Sequence, residues 1–354
     1  MNKIHEFNKK LFQKSIYPHL DGYLKGDMDK APISIHLDLI AACNYKCKHC
    51  IDRWYYNGKQ LDFDYLIELV SYWQKKGLKA VIVMGGGEPT LYPQFEAIIR
   101  FLKFHGLQVG IVSNGSNMKK IADIVECLNK KDWVRLSLDA GSTGTFQRLH
   151  NTNISFCDIL REVKEMRKEY SNFQMGYSFL VMEDNIDEIE SAARLAKEYG
   201  FSYFSVKPYI DIEKPRETIM KNLKDIKEQI ESAKLLDFPV VESTNLMCFY
   251  DKELKKALQS PSKTCHAQYF RLVVTPVGIF LCSLWRGFKE TKIIDTNKPV
   301  TEEYLKQLQE NRIKMIKKFN PQKICKKSIC IYSSLNNWID NLPKPIDDFG
   351  DYFL

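Results

Sequence analysis

Cys43-Asn-Tyr-Lys-Cys47-Lys-His-Cys50 places three thiols within eight residues. Thiols so close in sequence read as a metal site or as catalytic groups. Zinc is the plain alternative, but structural zinc takes four ligands and closes its shell. A fourth would have to come from His49, His36 or a distant residue. Three cysteines suit a [4Fe–4S] cluster that keeps one iron free of protein ligands, open to a reacting molecule. Four more cysteines, Cys265, Cys282, Cys325 and Cys330, are separated by 16, 42 and 4 residues. Of the remaining three, Cys127 sits in a helical stripe and Cys157 near a helix start. Both are expected to be small core residues. Cys248, in Asn-Leu-Met-Cys-Phe-Tyr, lies just ahead of the second group and is not so easily assigned.

The elements that must hold these residues alternate between strand and helix from 32 to 207. Strand-like runs are Ile33–Leu39, Ala80–Met84, Leu107–Ser113, Trp133–Leu138, Gln174–Val181 and Tyr203–Lys207. Several are almost continuously apolar, as parallel strands covered on both faces require. In 62–76, Tyr65, Leu66, Leu69, Val70 and Trp73 share one helical face and Gly77 marks the stop. In 93–105, Phe95, Ile98, Ile99 and Leu102 form the stripe behind Pro93. Further helices fit 117–129, 155–170 and 186–199. Six β-α units imply a parallel sheet with right-handed crossovers, short of the eight of a closed barrel. The expected fold is α/β: an open, partial (β/α)6 barrel with its chemistry at the C-terminal ends of the strands. Beyond 208 come a charged helix over about 214–236, a hairpin of Arg271–Thr275 and Gly278–Leu281, and a helix near 301–318. The expected segmentation is an arm over 1–31, a barrel over 32–235 and a small cysteine-rich α+β domain over 236–354.

Length and composition agree with this plan. The 354 residues suit two domains, or one large barrel with an appendage. With 44% hydrophobic and 27% charged residues, the chain is neither disordered nor fibrous nor a disulfide-stapled miniprotein. It has no apolar run of about 20 residues, so no transmembrane helix is expected. The polar start MNKIHEFNKKLFQKS lacks a signal-peptide core, which predicts a cytoplasmic protein with unpaired cysteines. Net charge is +8, with 17 Lys+Arg against 7 Asp+Glu in 251–330. The bland account is a solvated basic helix around Arg312, Lys314, Lys317 and Lys318. The sharper one is attraction of an anionic partner or of bound clusters.

At the cysteine triplet the sequence resembles the radical S-adenosylmethionine (SAM) enzymes, whose signature is C-x3-C-x-Φ-C; His49 occupies Φ. The resemblance runs over 33–210. Gly85-Gly86-Gly87-Glu88-Pro89 ends the second strand and matches the family's Gly-Gly-Glu motif, which implies a seat for the amino group of SAM. Ser113-Asn114-Gly115 ends the third strand, and Ser137-Leu138-Asp139 the fourth. Both resemble positions that contact the SAM ribose or the substrate, as do, more weakly, Ser178 in the fifth strand and Lys207 in the sixth. The four later cysteines resemble the auxiliary-cluster domain called Twitch, a short relative of SPASM. Two spacings depart from that pattern: Gly278-Ile-Phe-Leu-Cys282 is one residue short of G-x4-C, and Cys325–Cys330 is wider than C-x2-C. The resemblance implies a second [4Fe–4S] cluster on Cys265, Cys282, Cys325 and Cys330, with four-cysteine zinc as the alternative.

The chemistry so implied is reductive cleavage of SAM to a 5′-deoxyadenosyl radical, which takes hydrogen from an unactivated C–H bond, with an electron donor such as flavodoxin or ferredoxin. The expected substrate is a small, polar, sugar-like or nucleotide-linked molecule, weakly favoured as anionic, and the outcome epimerisation or dehydrogenation. Cys248 is then a packed thiol, a cluster ligand or the hydrogen donor that completes an epimerisation. A ribosomally made peptide is the second substrate class, although an arm of about 32 residues is short for a leader-binding domain. Nucleic-acid modification comes third, since no RNA-binding module or aromatic-interleaved basic run is found. A non-catalytic protein clamped by zinc is the reading outside enzymology; it leaves Glu88 and the strand-end glycines without purpose.

Overall fold

The computed structural model describes residues 7–209, 219, 221–259, 262–325, 330–339 and 350–353. The chain forms two compact units: Met1–Ala42, Tyr55–Gly110 and Lys256–Leu354 in the first, Cys43–Trp54 and Ile111–Lys255 in the second.

In the first unit, β1 (Ser34–Leu37) and β2 (Ala80–Val83) pair in parallel and are buried along their whole length. Between them, the helix Phe63–Lys75 starts where Asp62 accepts a hydrogen bond from the Tyr65 amide at 2.8 Å. It buries the five apolar residues of the predicted stripe. Gly77 follows at φ 108°, and a Cβ there would lie 2.5 Å from the His19 ring, so only glycine fits this stop. The helix Phe95–Phe104 leads to β3 (Gln108–Ser113), within which the chain crosses from one unit to the other.

The predicted hairpin is β8 (Arg271–Thr275) and β9 (Gly278–Phe280), antiparallel, with β10 (Lys292–Ile294) added beside β9. β8 also pairs in parallel with β1, so the cysteine-rich segment extends the sheet of this unit. Residues 7–24, expected as part of a polar arm, form the helices Phe7–Leu11 and Tyr17–Leu24 and bury Leu11, Ile16 and Leu20.

The second unit carries β4 (Trp133–Ser137), β5 (Gln174–Val181), β6 (Tyr203–Pro208) and β7 (Val240–Glu242), all parallel. The helices Phe156–Glu169 and Ile189–Glu198 make the crossovers between β4, β5 and β6. All six predicted β-α units are present in order, and the α/β class with a parallel sheet holds. No helix among the described residues is long and apolar enough to cross a membrane.

Three expectations need correction. The helix at 117–129 ends at Ala122 and gives way to a 3-10 turn, Val125–Cys127. The tighter winding rotates Cys127 off the apolar stripe, and it is only part-buried. Cys157 is exposed, because the first turn of its helix turns it to solvent. Arg312 is not part of a solvated basic face. It is 2% exposed, donates to the Lys30 carbonyl at 2.8 Å and to the Tyr269 carbonyl, and lies over the Tyr269 ring. Burial lowers its pKa to about 10. The charged helix after β6 is Leu223–Lys234; the part expected at 214–218 falls outside the described residues.

Candidate cluster and cofactor site

In the second unit the cysteine triplet lies on a loop held from outside. The amides of Lys46 and Lys48 donate to the carbonyls of His150 and Leu149 at 3.2 and 3.4 Å. Asn114 donates to Asn44 Oδ1 at 2.9 Å and approaches Cys43 Sγ at 3.7 Å. Asn44 in turn donates to Ser116 Oγ at 2.8 Å. The polar residues after β3 therefore anchor the start of the loop. Ser113 Oγ accepts from the Gly115 amide at 3.1 Å, and Gly115 stands at φ 78°, so this turn needs its glycine.

All three thiols of the triplet are part-buried. Burial, then the nearby Asp139, Cys43 and Cys50, push the Cys47 thiol up. Its Sγ lies 3.2 Å from His150 Nδ1, while His150 Nε2 donates to the Leu138 carbonyl at 2.9 Å. That second bond fixes the tautomer, so a neutral His150 ring presents an acceptor to Cys47. Asp139, at φ 52°, caps the far side. Its Oδ1 accepts from the Leu180 amide at 2.8 Å, and its Oδ2 lies 3.4 Å from His49 Nε2 and 3.8 Å from His150 Nε2. Burial works against its charge, but His49, His150 and the Leu180 amide hold its carboxyl below the usual value. The ligand atoms of Cys47, His49 and His150 lie within 4.8 Å of one another. His150 carries no motif of its own in the sequence; as the last residue of the helix Thr143–His150 it gives no signal by itself.

In the first unit, Gly85–Glu88 follows β2. A Cβ on Gly87 would lie 2.2 Å from the Ala42 carbonyl oxygen and 2.3 Å from that of Ile40. The glycine lets the motif lie flat against the strand-end backbone just before Cys43 in sequence. The Glu88 amide donates to the Ala42 carbonyl at 2.9 Å. The Glu88 side chain is 2% exposed, and its Oε1 accepts from the Thr90 amide at 3.1 Å and the Thr90 hydroxyl at 2.7 Å. One carboxylate oxygen thus caps the turn Pro89–Leu91. Gly86, at φ 94°, faces Asp38, which pairs with Arg286 at 2.8 Å. Gly87→Ala is expected to cost about 3 kcal/mol or more of stability, because the clash is with backbone that cannot turn aside. Urea unfolding of the metal-free chain measures this, and an unchanged midpoint would show that the motif yields freely.

The later cysteines also converge within the first unit. Burial, then Cys330 and Cys282, push the Cys265 thiol up. Burial, then Cys282 and Cys325 among others, push Cys330 up to about 12. Cys330 thus lies close enough to each of the other three thiols for their charges to be felt, and Cys265 to Cys282 and Cys330. Asn336 donates toward Cys265 Sγ at 3.7 Å. Arg271 reaches the Tyr332 hydroxyl, His36 Nε2 at 2.8 Å and Ser283 Oγ at 3.3 Å, and its charge favours a thiolate at Cys330. His36 is thereby engaged beside this group. Cys248, 1% exposed, caps the short helix Thr244–Met247 after β7 in the other unit.

Residues 38–196 match the Radical SAM superfamily model. That match covers a little under half of the chain, and proteins of that superfamily bind a [4Fe–4S] cluster and SAM. Over 112 residues it is 31% identical to an S-adenosylmethionine-dependent nucleotide dehydratase of a Thermoplasmatales archaeon (strain ISO4-H5), a match covering 30% of this chain and 38% of that protein. Over 177 residues it is 29% identical to the AdoMet-dependent heme synthase of Methanosarcina barkeri, covering 49% of each. The chain thus spans less than half the length of either relative. Among solved structures it resembles Streptococcus suis SuiB bound to the precursor peptide SuiA, with a TM-score of 0.66 at 16% identity, over 95% of this chain and 80% of that one. At that identity the likeness is one of fold.

Proposed function

We propose that this chain is a radical SAM enzyme that removes a hydrogen atom from a small polar substrate, sugar-like or nucleotide-linked, and ends in epimerisation or dehydrogenation. The observation that carries the reading is the loop of Cys43, Cys47 and Cys50, buttressed by Asn114, His150 and Asp139. Three grouped thiols on a held loop fit a cluster with one open iron. When bound, that cluster supplies the electron that splits SAM into methionine and a 5′-deoxyadenosyl radical. The chain's own residues bind and orient. Gly85–Gly87 let backbone approach the SAM amino group, with Glu88 as the nearby carboxylate. Ser113, Asn114, Ser137 and Asp139 stand at strand ends to position the ribose and the substrate, and His49 and His150 hold Asp139. Ser178 and Lys207 face the substrate. Cys265, Cys282, Cys325 and Cys330 hold a second [4Fe–4S] cluster in a Twitch-like domain over 236–354, following a barrel over 32–235. A flavodoxin or ferredoxin delivers the electron.

The named activity of the Thermoplasmatales relative supports a nucleotide-linked substrate. A peptide substrate, as in the SuiB complex, is the second reading. The three-membered Cys47–His49–His150 set is what a zinc-clamped, non-catalytic protein would offer instead.

The deciding experiment incubates anaerobically reconstituted protein with SAM and a strong reductant. Formation of 5′-deoxyadenosine is expected; its absence from protein with full iron content would sink the reading. Cys248→Ala then separates the outcomes. As donor in an epimerase, its loss should leave 5′-deoxyadenosine forming while inverted product falls, and wild type in D₂O should place one deuterium at the inverted carbon. A product two hydrogens lighter than substrate would move the role of acceptor to the second cluster.

A further inference from the structure

The second unit carries a polar sheet face on which, among the described residues, two cations stand without a carboxylate within ion-pair distance. Alternation along parallel strands puts Arg135 and Ser137 of β4, Gly176 and Ser178 of β5, and Tyr203, Ser205 and Lys207 of β6 on one side. The register arranges them in rows. Arg135 stands opposite Gly176, and Gly176 opposite Tyr203; Ser137, Ser178 and Ser205 form the next row; Lys207 closes the third beside Leu180. A Cβ on Gly176 would lie 2.3 Å from the Tyr203 ring, so the missing side chain lets the phenol lie across β5.

Arg135 and Lys207 are half-buried, and Arg135 Nε is buried without a hydrogen-bond partner. The Arg135 guanidinium rests over the Trp133 ring at 5.3 Å. Among the described residues, no carboxylate lies within ion-pair distance of either cation, and the three serine hydroxyls of the middle row make no hydrogen bond. Asp139, whose charge both cations feel, already accepts from the Leu180 amide and faces two histidines. Burial and the neighbouring Arg135 both disfavour the charge on Lys207. Two like charges gathered in a partly desolvated site are costly unless an anion joins them.

We infer that Arg135 and Lys207, with Tyr203 and the row Ser137–Ser178–Ser205, seat a phosphate or pyrophosphate group of the substrate. Arginine offers a fork of donors to phosphate oxygens, lysine a point charge, and the hydroxyls complete the shell. The inference deepens the reading above and rests on it for the word substrate. SAM's own carboxylate is the competing source of negative charge.

Full-length reconstituted protein is titrated calorimetrically with inorganic pyrophosphate and, separately, with SAM. Wild type should bind pyrophosphate. Arg135→Gln and Lys207→Gln should each weaken that binding about tenfold or more, as loss of a charged hydrogen bond implies, while Arg135→Lys keeps most of it. SAM affinity should move less than about twofold in all three, and thermal melting reports whether each variant is folded. No binding by wild type, or equal binding by the folded variants, overturns the inference. A tenfold loss of SAM affinity in Arg135→Gln assigns the cation to the SAM carboxylate and overturns it too. Iron content and 5′-deoxyadenosine formation, read on the same wild-type preparation, judge the radical SAM reading separately, because the anion titration needs no turnover.

Discussion

Replacing Cys43, Cys47 and Cys50 together by alanine is expected to lower iron from about eight to about four per chain, one [4Fe–4S] cluster of two. 5′-Deoxyadenosine formation should fall to background. The argument is local. On the proposed reading these three thiols are the ligands that one held loop offers, and a cluster cannot stay with no thiolate to bind it. The iron that remains should belong to Cys265, Cys282, Cys325 and Cys330, in the other compact unit. Iron analysis and anaerobic product assay check both halves. A variant that still made 5′-deoxyadenosine would remove the triplet from the chemistry. A wild type that held zinc at Cys47, His49 and His150 and bound no iron would favour the clamp reading.

Much of the fold was legible because it is written in local pattern. Gln174–Val181 shows its strand as a continuous run, and Phe63–Lys75 its helix as a stripe with a cap and a stop. The hairpin at Arg271–Thr275 could be read from Pro276 and Gly278, but its parallel pairing with β1 could not. That pairing joins residues some 240 positions apart, and nothing in either run names its partner. The same limit governs the site. The cysteine triplet and Gly85–Glu88 are contiguous, so their spacing shows on the page. Arg135 was visible only as a lone basic residue in an apolar run. Its meaning comes from cross-strand register with Gly176 and Tyr203. His150 and the Arg271–His36–Tyr332 group arise the same way, from chain segments brought together by the sheet. Arg312 misled because charge predicts solvent, while here two carbonyls and a tyrosine ring replace it.

Cys265→Ala combined with Cys282→Ala should also remove about four irons, yet leave SAM cleavage to 5′-deoxyadenosine largely intact. Its larger effect should be on stability. Metal that binds only the folded chain contributes its binding free energy to folding, and it contributes more when it closes long loops. The triplet closes loops of three and two residues, whereas Cys265, Cys282, Cys325 and Cys330 close loops of 16, 42 and 4. They also join the β8–β9 hairpin to the helix Ser333–Ile339, where Asn336 accepts from the Ala267 amide at 3.0 Å and donates toward Cys265. Without metal, the Arg271–Tyr332 contact and Asn336 still bridge that junction, but no ligand bond closes the long loops. The reconstituted double variant should therefore melt at a lower temperature than the reconstituted triplet variant, even though each loses one cluster. Scanning both under anaerobic conditions decides the point. Equal melting temperatures would mean that the four later cysteines hold nothing together, and a double variant with undiminished iron would remove them as ligands.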